Sequence, residues 1–179
     1  KLIKMPALTL QQINNANPEK NYNIESFVLN INTWGNIRAD LGRLFMNGIK
    51  LKFDENIQNN LPQSKGIYIF YVEPDFPFSP ETRYLMYVGK VAGNNTFHNR
   101  FYEYVNAIGN LDQRQNIMLL TNLWPNKTWV YVYPLDVTDD EIEVVQQLAI
   151  WYFTNKEDSN YNSETLSTLL QNNVANTDA

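Results

Sequence analysis

Apolar residues recur along the chain with two periods. Trp34, Ile37, Leu41, Leu44 and Phe45 fall at helical spacing. That spacing predicts an amphipathic helix over residues 34–47, with Arg38 on its polar side and Gly48 as its stop. Leu51 to Phe53 reads as a short extended segment. The run Gly66-Ile67-Tyr68-Ile69-Phe70-Tyr71-Val72 is dense in β-branched and aromatic residues, and residues 84–88 repeat that composition, so both read as strands. Between them stand Pro74, Pro77 and Pro80. Proline cannot donate to a ladder, so residues 73–83 read as the tip of a long hairpin.

Beyond a Gly/Asn turn, Phe97, Phe101, Tyr104, Val105 and Ile108 mark a helix over residues 96–108, with Asn95 or Thr96 as its cap. Residues 117–124 form a shorter helix that Pro125 ends. In residues 128–134, Trp129, Tyr131 and Tyr133 alternate with Val130 and Val132, the period of a third strand. Thr138-Asp139-Asp140-Glu141 is a capping box opening a helix that reaches Phe153, its acids complementing the helix dipole. Thr9 to Gln12 repeats the box in a polar N-terminal arm, and Ser163 caps a short helix through Leu170. The sum is an α+β chain: a small three-stranded antiparallel sheet flanked by helices, with an N-terminal helical extension.

At 179 residues the chain suits one domain. No run of about 18 apolar residues is present, so no membrane association is expected, and a charged N-terminus without an apolar segment points to the cytoplasm. The absence of cysteine excludes disulfides and thiolate metal sites, and His98 is the single histidine. Net charge is −5, split as +3 over residues 1–65 and −8 over residues 66–179. A polyanion would therefore avoid the acidic C-terminal part and rely on Lys65, Arg83, Lys90, Arg100 and Arg114.

Two tripeptides stand out: Gly66-Ile67-Tyr68 on the first long strand and Tyr87-Val88-Gly89 on the second. With Lys90 directly after them, and an arginine, Arg100, in the following helix, they resemble the GIY-YIG nuclease family over about residues 64–162. Eighteen residues separate the tripeptides, from Ile69 to Met86, more than the family's usual spacing. A longer hairpin tip accommodates them. The resemblance implies a core at 64–162, an arm and packed helix at 1–63, and a short helix and tail at 163–179. It also implies hydrolysis of DNA phosphodiesters with one divalent cation, magnesium or manganese. On that reading Tyr68 positions or deprotonates the attacking water, Lys90 supplies the cation that a phenolic base needs, and Tyr87 bonds phosphate or water. Arg100 offers its planar fork to the scissile phosphate. His98 and Lys65 are further substrate-binding candidates, and Asn162 falls where the family has an asparagine.

The family holds its metal with a glutamate on the last long helix. Here the position falls on Gln147, with Gln146 as second choice, and Glu143 one turn earlier as a substitute carboxylate. A hard cation is held by carboxylates, so the amide implies a weakened endonuclease. The alternative is a catalytically inactive module of the same fold that serves binding or assembly, with a protein partner at its acidic end. Tyr68, Tyr71, Tyr84 and Tyr87 also suit simple strand packing, and Trp34, Trp124, Trp129 and Trp151 suit a core.

Overall fold

A computed structural model of the chain describes residues 47–74, 83–110, 115–124 and 126–154, together with Leu8, Thr9, Gln11, Gln12, Asn15 and Gly42. Outside this set lie the hairpin tip, Asn162, the helix expected from Ser163, and most of the helix expected over 34–47. Within it, the order is β1 (Ile49–Lys52), a 3-10 turn (Ile57–Asn60), β2 (Gly66–Val72), β3 (Tyr84–Val91), α1 (Phe97–Asn106), α2 (Gln115–Asn122), β4 (Thr128–Pro134) and α3 (Asp139–Thr154).

The strands form one antiparallel sheet in the order β1-β4-β2-β3. It has four strands where the sequence led us to expect three. The fourth, β1, pairs Ile49 with Val132 and Lys52 with Trp129. Its pattern is the cause: Ile49 and Leu51 alternate with Lys50 and Lys52, so one side of the strand joins the apolar face while the lysines take the other. Lys50 lies 4.5 Å over the ring of Trp129. Trp129 and Trp124 are half-buried rather than core, while Trp34 and the side chain of Trp151 lie outside the described set.

Period-two alternation gives the sheet two faces with separate cores. On one, Tyr68, Phe70, Val91, Val130 and Val132 meet Phe97, Phe101 and Tyr104 of α1, Leu120 of α2, and Phe53, Ile57 and Leu61 around the 3-10 turn. On the other, Ile67, Ile69 and Val88 meet Ile142, Val145 and Ala149 of α3. Phe70, Phe97, Phe101 and Ile142 are wholly buried. Each such side chain contributes about 1.5–3 kcal/mol.

Helix starts follow their caps. Thr96, not Asn95, caps α1 by accepting from Asn99 N (3.3 Å). The box at α3 closes both ways: Thr138 N donates to Glu141 Oε2 (2.7 Å), and Glu141 N donates to Thr138 Oγ1 (3.3 Å). Buried Asn122 accepts from Leu8 N (3.0 Å) and Gly109 N (2.9 Å), which docks Leu8 beside Met118 of α2. Among the described residues no helix is long and apolar enough to cross a membrane.

Candidate functional site

The two tripeptides pair directly, with Tyr68 opposite Gly89 and Gly66 opposite Val91. Both glycines have a steric reason. Gly66 adopts φ +142°, and a Cβ there would stand 2.1 Å from the Tyr133 carbonyl oxygen. Gly89 lies under the ring of Tyr68, where a Cβ would fall 2.2 Å from Cζ and 2.3 Å from Oη. Tyr68 therefore lies flat across the second strand, enclosed by Phe97, Phe101 and Tyr104 of α1 and by Tyr87, with ring centroids 5.3–6.4 Å away. Its hydroxyl meets that of Tyr104 at 2.5 Å.

Burial pushes the Tyr68 phenol well above its ordinary range; Tyr104 and Tyr87 add to the rise, and Arg100 opposes it. At neutral pH Tyr68 is thus held protonated. In that state it can share or donate a hydrogen bond, but it does not take a proton from water. Tyr87 is half-buried beside it.

Arg100 projects from α1 toward this cluster. Burial works to lower its pKa, but Tyr68, Glu103 and Tyr104 raise it further, so the guanidinium stays charged. Its Nη1 bonds Glu103 Oε2 at 2.6 Å, while its Nε is buried with no hydrogen-bond partner. The side chain keeps 32% of its surface exposed, almost none of it at Nε. Tyr104 and Glu103, which reading the sequence for chemistry missed, follow Arg100 by four and three residues. That is the spacing that shares a helix face.

The remaining candidates lie elsewhere. Lys90 pairs across the ladder with Ile67, so it occupies the α3 face, opposite Tyr68. There it forms an ion pair with Glu143. Its place directly after Gly89 suggested a shared site, but adjacent strand residues point to opposite faces. Lys90 therefore does not supply a cation to the Tyr68 phenol. Lys65 Nζ contacts Asp139 Oδ1 at 2.9 Å, at the start of α3. His98 lies two positions before Arg100, roughly 200° round the helix, and its carbonyl accepts from Gln58 of the 3-10 turn.

On α3, Gln147 Nε2 donates to Glu143 Oε1 (3.3 Å) and Gln146 Nε2 to the carbonyl of Val88 (3.2 Å). Glu143 thus has one oxygen on an amide and the other on an ammonium. A divalent magnesium is bound through one or two carboxylates with waters and substrate oxygens. One neutralised carboxylate and a neutral amide do not fit it. Among the described residues no group of three or more His, Asp or Glu side chains gathers into a cation site. Lys65, Arg83, Lys90 and Arg100 each have a carboxylate partner: Asp139, Glu73, Glu143 and Glu103. No family model matches the chain, and no curated protein matches it.

Proposed function

We propose that the chain is a GIY-YIG-type domain that holds a DNA phosphodiester against Arg100 and Tyr87 without efficient metal-dependent hydrolysis. The observation that carries this reading is the split between the faces: Tyr68, Tyr87, Tyr104 and Arg100 share one, while Glu143, Gln147 and Lys90 are bonded to one another on the other. The first group offers a partly exposed guanidinium beside phenol hydroxyls, that of Tyr68 held protonated by burial, which suits a phosphate oxygen. The second lacks donors for a hard cation. If a metal supplies about 4 kcal/mol of transition-state stabilisation, its loss slows cleavage roughly a thousandfold. Carboxylate partners on the neighbouring cations limit the affinity, so binding should be weak and only mildly salt-dependent.

The endonuclease reading is favoured by the tripeptides and Arg100 taken together, and one experiment separates the two. Supercoiled plasmid is incubated with magnesium or manganese at protein concentrations near that of the DNA. We expect no nicking. Nicking by the wild type that Arg100→Ala abolishes would overturn the binding-module reading and establish the nuclease.

A further inference from the structure

The contact between α3 and the edge strand β3 has a polar side that the proposed phosphate site does not use. Glu143, Gln146 and Gln147 stand at helical positions i, i+3 and i+4, a single stripe facing β3. Gln146 closes on the Val88 carbonyl, Lys90 reaches Glu143 from the strand, and Gln147 takes the second oxygen of the same carboxylate. Charge balances locally, one ammonium against one carboxylate. The side chains of Lys90 and Glu143 are 33% and 42% exposed, so ions from solvent can reach the pair.

We propose that Lys90 is a built-in cation: its ammonium stands in for a divalent ion between β3 and α3, and so makes the fold and the ligand-binding face independent of metal. Equating this place with a metal site rests on the GIY-YIG reading. The ion pair and its consequences for metal rest on the contacts alone. A divalent ion approaching Glu143 meets a like charge on Lys90 and finds both carboxylate oxygens occupied. Removing that charge and adding a second carboxylate one turn away converts the stripe into two acids at i and i+4, a spacing that can chelate one ion. The pair Lys90→Gln with Gln147→Glu makes this change.

The test is thermal melting without DNA, in magnesium, manganese or EDTA, so its failure is distinct from failure of the DNA-binding reading. Wild type should melt at the same temperature in all three. The Lys90→Gln/Gln147→Glu double variant should gain about 3–6 °C at a metal concentration tenfold over its dissociation constant. If that variant does not fold, Lys90→Gln alone frees the Glu143 carboxylate. Manganese should then broaden the amide resonances of Glu143 and Gln147 in Lys90→Gln but not in wild type. The proposal is overturned if wild type itself gains metal-dependent stability that Glu143→Gln removes. It is also overturned if neither variant responds to metal by either readout.

Discussion

Substituting Gly89 by alanine probes the joint between the two tripeptides. The new methyl would lie 2.2 Å from Tyr68 Cζ, 2.3 Å from Oη and 2.5 Å from Cε2, where ordinary contact begins at 3.4 Å. To restore contact distance at Cζ the ring must withdraw by about 1.2 Å, and its far side is filled by Phe97, Phe101 and Tyr104. Overpacking of this kind costs about 1–3 kcal/mol, and losing the hydrogen bond to Tyr104 adds about 1 kcal/mol. Gly89 has no positive φ. At such a position alanine normally stabilises, by about 0.4–1 kcal/mol, through the unfolded chain. The net expectation is a loss of about 2–3 kcal/mol, a fall in Tm of roughly 4–12 °C. Urea unfolding followed by tryptophan fluorescence, in wild type and in a Tyr68→Leu background, measures it. Leucine lacks the atoms that clash, so there Gly89→Ala should cost less than about 1 kcal/mol, a coupling of at least about 1 kcal/mol. A Gly89→Ala protein as stable as wild type, or equally damaged in both backgrounds, would refute the packing described.

Two further predictions concern tyrosines packed on the two faces of the sheet. Tyr104→Phe leaves the Tyr68 hydroxyl buried without its partner and should cost about 1–3 kcal/mol in urea unfolding, whereas Tyr68→Phe with Tyr104→Phe should cost less than the two single changes combined; strict additivity would contradict the shared hydrogen bond. The folded pKa values of Tyr68, raised chiefly by burial, and of Tyr133, pushed up to about 12 by burial and Tyr131, lie above those of the unfolded chain. Protonated phenols therefore favour the folded state. Their contribution is complete below about pH 10 and is lost as pH rises through the folded values. Urea midpoints should hold steady to about pH 9 and fall above about pH 10, less steeply in Tyr68→Phe; a midpoint unchanged at pH 11 would count against this.

Much of the fold was legible because alternation and caps are local signals. The strand Thr128–Pro134 and the capping box before α3 match the sequence reading residue for residue. β1 was legible in principle, since Ile49 to Lys52 alternates, but four residues give a weak period. The site was harder. The tripeptides do meet, and Arg100 does face Tyr68, because strand pairing and helix phase follow from spacing. Lys90 misled because nearness in sequence was taken for nearness in space, when period two sends it to the opposite face. Tyr104 was seen only as an apolar helix position. Its hydroxyl gains meaning from Tyr68, a partner 36 residues away. The bond between Glu143 and Lys90 depends on how α3 lies on β3, a tertiary fact without local signature.

The measurement that bears most directly on the account is DNA affinity with and without divalent cations. A labelled short duplex is titrated at low salt in EDTA and then in magnesium, with wild type and Arg100→Ala, and read by fluorescence anisotropy. Affinity should be the same in both buffers, and Arg100→Ala should weaken it by about 10-fold or more, the worth of one charged hydrogen bond. The logarithmic salt dependence should be shallow, close to −1 for each phosphate contacted. Binding that requires magnesium, or binding indifferent to Arg100, would contradict the assignment of this face to a phosphodiester held without metal.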